Sequence, residues 1–319
     1  MKKIFCIIVS AIVFISMFCG CGTANTNNKK LSVVATIFPE YDWVKSIAGD
    51  KAKDIDLTLL LNSGVDLHSY QPTAKDIIKI SKCDLFIYVG GESDEWAQDA
   101  IKQASNKNMQ VINLMDVLEN EKKEEEAVEG MQVDEEEEEE GEEEVEYDEH
   151  VWLSVKNAQK CCEAIKNSLS KLDKDNKSTY QKNYDTYSKE LATLDSEFAN
   201  TVKNAKRNTL LFGDRFPFRY LIEDYSLKYY AAFIGCSAES EASFETISFL
   251  AKKVDELKLP YVITLDGSDQ KIAKTIIKNT KDKSQQIVTM NSMQSTFSDG
   301  DNYLNIMQSN LDTLKKVLY

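Results

Sequence analysis

The sequence predicts an α/β fold with two lobes, each built on a mainly parallel sheet flanked by helices, and a long rigid helix joining them. Short apolar segments rich in β-branched residues, such as LSVVATIF and DLFIYVG, alternate with amphipathic helical patterns. This alternation is typical of parallel sheets. It occurs twice, before and after a continuous helical pattern, and a chain of 319 residues is long enough for two packed lobes.

The first lobe is predicted over residues 31–172. One of its helices is PEYDWVKSIAGDKA, which has Pro39 at its start and Gly49 near its end, as helix boundaries favour. Functional loops are expected at the carboxyl ends of the strands in such a sheet. The predicted strands are LSVVATIF, IDLTLLL, DLFIYVG and MQVINLMDV.

A linking helix is predicted over residues 173–206, where Tyr180, Tyr184 and Tyr187 recur at helical spacing and are expected to pack in a core. The second lobe is predicted over residues 207–319. Its strands NTLLFGD, KYYAAFIGC, PYVITLDG and QQIVTMNSM alternate with helices in the same way as those of the first lobe.

The amino-terminal segment predicts export. Residues 1–20 combine two lysines with a short apolar run that is too short for a stable membrane span, as in a signal peptide. The F-C-G-C end resembles a bacterial lipobox, so Cys21 would be lipidated and residues 21–30 would form a polar tether. Acyl chains would then anchor a Gram-positive-type lipoprotein on the extracellular face of the cell membrane. The alternative is an ordinary cleaved signal with a chance cysteine.

Four further cysteines, none in C-x-x-C spacing, do not form a disulfide framework. Cys161 and Cys162 are adjacent, so a bond between them would be strained. Cys83 and these two are interpreted as small buried apolar residues. Cys236 is the one whose surroundings are of further interest.

Residues 119–147 interrupt the pattern as an acidic insert. Over residues 119–149, 19 aspartates and glutamates stand against two lysines, a net charge of −17, whereas the whole chain carries −15. The rest of the chain is therefore nearly neutral, and the acidic balance indicates nothing about its partners. The chemistry favours a solvated, disordered insert. The alternative is a weak collector of hard cations.

The motifs of several function classes are missing from the sequence. It contains no glycine-rich phosphate loop, nucleophile elbow or zinc-protease signature, and no basic patch for nucleic acid. We therefore expect neither an enzyme nor a nucleic-acid-binding protein. The chain has only two histidines, His68 and His150, and both lie in predicted loops. Because neutral imidazole is the commonest protein ligand for divalent metals, they are candidates for one shared ion.

Three segments carry a family resemblance. GVDLHSYQPTAKDIIKISKCDLFIYVGG resembles a G-x-D-x-H-x-Y-x-P-T-x-x-D region, YDEHVWLSVKNA resembles D-P-H-V-W-L-D-P, and NYLNIMQSNLDTL resembles a closing Y-x-x-x-M-x-x-N-L helix. In this respect the chain is similar to the substrate-binding proteins of zinc/manganese ABC transporters. The segments occur in the same order and at similar separations, and the resemblance covers nearly the whole chain after the leader.

The resemblance implies capture of Zn²⁺, or alternatively Mn²⁺, in a cleft between the lobes. It also implies delivery to an ABC permease and its ATPase subunit, by a protein expected to be a monomer. His68 and His150 would be the two first-lobe ligands. The acidic insert falls where zinc-type members carry a histidine-rich loop, but here that loop has no histidine before His150.

The second lobe departs from the family pattern at both expected ligand positions. These positions fall on Arg215, whose guanidinium cannot ligate a metal, and on Asn291. Asp214 and Asp266, which lie at predicted strand ends, are the leading replacements. Their alternative roles are an ion pair with Arg215 or, for Asp266, a helix cap. Further candidates are Cys236, Glu239 and Glu241 in GCSAESE.

Two alternative functions remain on the sequence alone. Relatives of this family occur as surface adhesins, so the chain could be an adhesin or sensor of the same fold. Arg215 could instead have converted the cleft into a site for an anion or a metal chelate.

Overall fold

Two four-stranded parallel sheets form the centre of this protein in a computed structural model. The structure describes residues 30–62, 66–132, 146–237, 241–294 and 300–319. The predicted signal peptide and Cys21 lie outside these ranges. Residues Leu31–Tyr319 make one compact unit. The strands are β1 Leu31–Ala35, β2 Ile55–Leu59, β3 Leu85–Tyr88, β4 Gln110–Asn113, β5 Thr209–Phe216, β6 Lys228–Ile234, β7 Tyr261–Leu265 and β8 Gln286–Met290.

The two sheets have the same topology. The strand order is β2-β1-β3-β4 in the first lobe and β6-β5-β7-β8 in the second, and all pairs are parallel. The predicted two-lobe α/β fold with mainly parallel sheets is therefore confirmed. Because the strands within each sheet are parallel, their carboxyl ends meet at one edge, which is where ligand-binding loops gather.

Helices flank both sheets, and several begin at a residue whose side chain caps the first turn. Thr73 starts α2 with a reciprocal capping box, and Ser154, Ser243 and Asn302 accept backbone hydrogen bonds at the starts of α5, α8 and α10. The helices are α1 Phe38–Ala48, α2 Ala74–Lys82, α3 Glu95–Lys102, α4 Leu114–Val117, α5 Val155–Leu172, α6 Lys177–Lys203, α7 Arg219–Asp224, α8 Phe244–Leu257, α9 Lys271–Asn279 and α10 Tyr303–Leu318. None of the described helices is long and apolar enough to cross a membrane.

The linking helix α6 is 27 residues long and contacts both lobes. It packs along α1 and α5 of the first lobe and α10 of the second. The predicted tyrosine stripe is partly core: Tyr180 and Tyr187 are buried, and Tyr184 is half-buried. The Tyr180 hydroxyl also donates to Asp173 over 2.6 Å, at the turn that precedes the helix.

A buried polar network joins the two lobes. Trp152 Nε1 donates to the Ser292 carbonyl over 2.9 Å, and the Tyr303 hydroxyl donates to the Trp152 carbonyl over 2.8 Å. The Tyr303 backbone N–H donates to Asp42 over 2.9 Å. These contacts explain two of the family-like motifs structurally, since the HVWL and NYLN segments hold each other in place.

The acidic insert differs from the sequence-based expectation over its described residues. Residues 119–132 lie against the body, and Glu124 forms a bridge with Tyr147. Gln132 pairs with Phe233 of the edge strand β6. Ion pairs join Glu126 to Arg219 and Glu129 to Lys253. The cations that neutralise this part of the insert come from distant segments, which explains why the local sequence indicated disorder. Residues 133–145 lie outside the described ranges.

Candidate metal centre

His68 and His150 meet at the carboxyl edge of the first sheet. His68 lies in a helical turn (Leu67–Ser69) after β2, and Asp66 caps this turn by accepting the His68 backbone N–H over 3.1 Å. His150 is fully buried just before the turn Val151–Leu153. Their Nε2 atoms lie 3.2 Å apart. Two nitrogens that bind one tetrahedral zinc at about 2.0–2.1 Å are separated by about 3.3 Å.

Hydrogen-bond partners of the Nδ1 atoms orient both imidazole rings. His150 Nδ1 lies 2.9 Å from an Asp148 oxygen, so the acceptor-only carboxylate fixes the hydrogen on Nδ1. His68 Nδ1 lies 2.7 Å from the Ser93 hydroxyl and 3.5 Å from Glu149. Metal-binding histidines in proteins show this arrangement, in which a carboxylate or a hydroxyl holds the nitrogen that does not bind the metal. The two Nε2 atoms are thereby left to face a shared ligand.

The amide group of Gln294 completes a triangle with the histidines. Its Nε2 lies 3.2 Å from His68 Nε2 and 3.1 Å from His150 Nε2, so it donates to a lone pair on these rings. A half-turn of the amide would present Oε1 at the same place, and an amide oxygen can ligate a metal. Gln294 is nearly fully buried in the loop after β8, so the second lobe also reaches this point.

The pKa values of the two histidines shift in opposite directions. Burial and the neighbouring charges of His150 and Arg215 lower the pKa of His68 to about 3. Burial also acts to lower the pKa of His150, but the carboxylates of Asp148, Glu125 and Glu149 outweigh it and raise that pKa. Near neutral pH His68 is therefore uncharged, whereas the surrounding carboxylates favour the protonated form of His150.

Cys236 is the third ligand-type side chain at this point. Among the described residues, the only cluster of three or more histidine, cysteine or acidic side chains with mutually close ligand atoms is His68, His150 and Cys236, whose ligand atoms all lie within 4.8 Å of one another. Cys236 follows β6, so it comes from the second lobe.

The structure places Asp214 and Asp266 in other roles. Asp214 sits at an irregularity in β5, where one of its oxygens accepts the Leu265 N–H over 3.2 Å and the other accepts the Arg215 N–H over 3.0 Å. Asp266 accepts the Ser292 N–H over 2.9 Å. Neither carboxylate belongs to the cluster of the two histidines. Both aspartates are occupied in fixing the strand-end loops of the second lobe.

Arg215 joins the two lobes beside the histidines. Its Nη2 donates to Asp66 over 2.7 Å, and its Nη1 donates to the Ser237 carbonyl over 3.2 Å. One guanidinium therefore holds the turn that carries His68 and the loop that carries Cys236. Asn291, the other departure from the family pattern, accepts the Met293 N–H over 2.7 Å within the loop after β8.

An acidic cavity of about 290 Å³ opens beside the cluster. His68 and Cys236 line it together with four glutamates: Glu92, Glu125, Glu146 and Glu149. Two of these come from described parts of the acidic insert, and Glu125 accepts the Cys236 N–H over 3.2 Å. Since the lining carries carboxylates and an imidazole, the cavity favours cations over anions.

Comparison with known proteins identifies the family. The model of the ZnuA family, described as zinc-uptake complex component A, periplasmic, matches residues 33–317. The chain belongs to the ZnuA family. The predicted resemblance to zinc and manganese substrate-binding proteins is therefore confirmed at the level of the family.

Several named relatives of the ZnuA family align with most of this chain. Zinc-binding lipoprotein AdcA of Streptococcus pneumoniae is 31% identical over 318 residues, which make up 99% of this chain and 61% of AdcA. High-affinity zinc uptake system protein ZnuA of Bacillus subtilis is 32% identical over 301 residues, 93% of this chain and 90% of that protein. The chain thus spans about three fifths of the length of streptococcal AdcA.

Solved structures of the same fold include metal-bound relatives. The Zn(II)-bound ZnuA-like domain of Streptococcus pneumoniae AdcA matches with a TM-score of 0.69 and 28% identity, over 91% of this chain and 99% of that domain. The metal-dependent lipoprotein YcdH of Bacillus subtilis matches with a TM-score of 0.70 and 28% identity, over 91% of this chain and 99% of YcdH. The laminin-binding protein Lmb of Streptococcus agalactiae, at 24% identity, shares the fold.

Sequence reasoning missed Gln294 and gave Cys236 only a minor place among the candidates. An amide is a weak signal, since glutamine is common on surfaces and no motif marks this one. The usable signal was topological: Cys236 and Gln294 both follow strands of a parallel sheet, where functional loops gather. Glu239 lies outside the described residues.

Proposed function

We propose that this ZnuA-family protein captures Zn²⁺ between its two lobes and delivers it to an ABC permease. The observation that carries the proposal is the 3.2 Å separation of His68 Nε2 and His150 Nε2. His150 Nδ1 is held by the Asp148 carboxylate and His68 Nδ1 is hydrogen-bonded to the Ser93 hydroxyl. A cation bound between the two Nε2 atoms would take the place of the Gln294 amide hydrogens that face them. Two imidazoles suit zinc and tolerate manganese, which remains the alternative ion.

The relatives support zinc and a transport role. AdcA and the Bacillus subtilis protein are named for zinc binding and zinc uptake. By extension, the partners of this chain are a membrane permease and its ATPase subunit, and the protein acts as a monomer without catalysis. A lipid on Cys21 would hold it on the extracellular face of the cell membrane. The tether of residues 21–30 would leave the two lobes free to approach the permease.

Binding of the ion would favour one arrangement of the two lobes over others. His68 and His150 come from the first lobe, whereas Gln294 comes from the second. Turning the Gln294 amide to present its oxygen would exchange two hydrogen bonds to imidazole for a bond to the ion. A ligand that contacts both lobes favours their closed arrangement, which a permease could recognise. The helix α6 and the network around Trp152 and Tyr303 would keep that movement small.

The two alternative functions have less support. Arg215 is committed to Asp66 and to the Ser237 carbonyl, and the neighbouring cavity is lined by glutamates, so the surroundings disfavour an anion. An adhesin of this fold is represented by Lmb, whose similarity at 24% identity extends to the fold alone.

The test is zinc content and thermal stability of the purified protein, with His68→Ala, His150→Ala and the second-lobe variant Asp266→Asn. The wild type and Asp266→Asn should hold one equivalent of zinc and gain thermal stability from it. A ligand at 100 times its dissociation constant stabilises by about 2.7 kcal/mol. Both histidine variants should lose the zinc and the stabilisation. Zinc retained by both histidine variants would overturn the proposal.

A further inference from the structure

Cys236 lies where a metal held by the two histidines would need its next ligand. Its Sγ and the two imidazole nitrogens all lie within 4.8 Å of one another. In a tetrahedral site with Zn–N about 2.0–2.1 Å and Zn–S about 2.3 Å, nitrogen and sulfur are about 3.5 Å apart. A movement of roughly 1 Å between the Cys236 loop and the histidines therefore brings the sulfur to bonding distance.

The local backbone is shaped to bring Cys236 to His150. The preceding residue, Gly235, lies close against the imidazole: a Cβ there would lie 3.0 Å from His150 Cε1 and 2.9 Å from the Phe216 carbonyl oxygen. A side chain at this position would push the loop away from the ring. On the other side of Cys236, Arg215 donates to the Ser237 carbonyl and to Asp66 in the His68 turn.

The other cysteines of the described chain have no such surroundings. Cys161 and Cys162 are fully buried within α5. Cys83 is fully buried at the end of α2, where its thiol donates to the Ile80 carbonyl over 3.2 Å. Only Cys236 belongs to a cluster with histidines among the residues that the structure describes. A packing role explains the first three cysteines and does not explain the fourth.

We propose that Cys236 is a thiolate ligand of the captured ion, so that the site is formed by two imidazoles, one thiolate and the Gln294 amide oxygen. The inference rests on the proposed function, because it assigns the second-lobe ligands of the same site. When the Sγ–metal bond forms, the thiol releases its proton to the solvent, and no oxidation takes place. The thiolate replaces the second-lobe ligand that Arg215 cannot supply.

A thiolate ligand also determines which ions the site accepts. Sulfur ligands favour zinc and other thiophilic ions, whereas Mn²⁺ prefers carboxylate, carbonyl and water oxygens. With Asp214 and Asp266 held in backbone hydrogen bonds, the described cluster offers a manganese ion no carboxylate of the second lobe. The site should therefore discriminate strongly against Mn²⁺.

The experiment compares the purified full-length wild type with Cys236→Ser, His68→Ala and the matched cysteine control Cys83→Ala. Each protein is loaded with Co²⁺ for absorption spectroscopy, and its Zn²⁺ and Mn²⁺ affinities are measured by competition with a chromophoric chelator. Circular dichroism and thermal unfolding without metal establish that each variant is folded. A further variant, Cys236→Asp, offers the ion a carboxylate in place of the thiolate.

The wild type and Cys83→Ala should show a thiolate-to-cobalt charge-transfer band in the near ultraviolet, and Cys236→Ser should lack it. Loss of an outer-shell partner costs about 10–100-fold in metal affinity, so Cys236→Ser should lose at least about 100-fold for zinc. Cys236→Asp should narrow the preference for Zn²⁺ over Mn²⁺.

Two other outcomes would overturn the inference, and they differ in what they say about the proposed function. If the wild type binds one ion that His68→Ala loses, but shows no thiolate band and is matched by Cys236→Ser in affinity, the thiolate ligand is wrong and zinc capture stands. If the wild type binds no divalent ion, or His68→Ala binds it equally well, the proposed function fails together with the inference.

Discussion

At the scale of single residues, the Asp148 carboxylate orients the His150 imidazole that we propose as a zinc ligand. Asp148 accepts hydrogen bonds from both the backbone and Nδ1 of His150, each through the same oxygen, over 2.8 and 2.9 Å. This fixes the ring and directs Nε2 toward His68. A histidine that was free to rotate would pay an ordering cost each time it bound an ion.

Asp148→Ala should therefore weaken zinc binding by about 10–100-fold without unfolding the protein. Asp148→Asn keeps an acceptor for Nδ1 but loses the charge, so its affinity should fall between those of the wild type and Asp148→Ala. Chelator competition measures both. Equal zinc affinity in all three proteins would show that Asp148 does not orient a ligand.

Glu40 gives a pH-dependent contribution to stability at a site away from the metal centre. It is fully buried and accepts the Thr36 N–H over 2.8 Å. Burial, with the nearby charge of Asp94, raises the pKa of Glu40 to about 8. The folded protein therefore keeps a proton that the unfolded chain releases near pH 4.5. This group thus makes the protein less stable as the pH rises from about 4.5 to 8.

Glu40→Gln should remove this loss of stability at higher pH, because glutamine keeps an oxygen that accepts from Thr36 and does not ionise. Each pKa unit corresponds to about 1.4 kcal/mol. From pH 5 to pH 8 the free energy of unfolding of the variant should therefore rise by several kcal/mol relative to that of the wild type. Urea unfolding at the two pH values measures the difference. Parallel pH profiles of wild type and variant would mean that Glu40 is ionised in the folded protein.

At the scale of elements, the regular strands and helices were predictable and the acidic insert was not. The β-branched runs predicted the eight strands, and most clearly the inner strands β1, β3, β5 and β7, because these are largely buried, which selects continuous apolar sequence. The described part of the insert is held instead by distant partners, such as Arg219 for Glu126 and Lys253 for Glu129. Contacts of that kind leave no local pattern.

The same limit applies to the metal centre. That His68 and His150 lie together could be expected because both stand in family-like motifs, and their role as ligands stays a prediction. Asp214 and Asp266 were predicted as ligands because acids at strand ends often line a cleft. The sequence could not show that their oxygens accept the backbone N–H groups of Leu265 and Ser292. Gln294 became a candidate only through its position in space.

Pairing at the edge of the second sheet should hold the described part of the insert in place. Gln132 N–H donates to the Ala232 carbonyl over 3.0 Å, and its side-chain oxygen accepts the Ser243 N–H over 2.7 Å. Gln132→Pro removes the backbone donor, so trypsin should cleave after Lys122 and Lys123 faster than in wild type. Gln132→Ala keeps the backbone donor and should be cleaved at an intermediate rate. Identical cleavage of all three proteins would contradict this role of the β6 edge.

At the scale of the whole molecule, the Arg215–Asp66 ion pair connects the lobes next to the proposed site. The two side chains are only 23% and 18% exposed, so solvent screens them less than a surface pair. Burial acts to raise the pKa of Asp66, but the charge of Arg215 and its hydrogen bond outweigh it and lower that pKa. The contribution of this pair to stability is present above the ordinary pKa of an aspartate and is lost as the pH falls below it.

A double-mutant cycle with Asp66→Asn and Arg215→Met should give a coupling free energy of about 1–2 kcal/mol for unfolding. Zinc affinity should fall in both single variants, because Asp66 also caps the turn that carries His68. Denaturant unfolding and chelator competition on the four proteins measure the two effects. Additive single effects would mean that the pair does not couple the lobes.

Anomalous diffraction at the zinc edge, on crystals of the zinc-loaded protein, tests whether one zinc ion binds between His68 and His150. We expect the strongest anomalous peak at about 2.0–2.1 Å from both Nε2 atoms. A principal peak among the glutamates of residues 119–132, with the two histidines unbound, would contradict it.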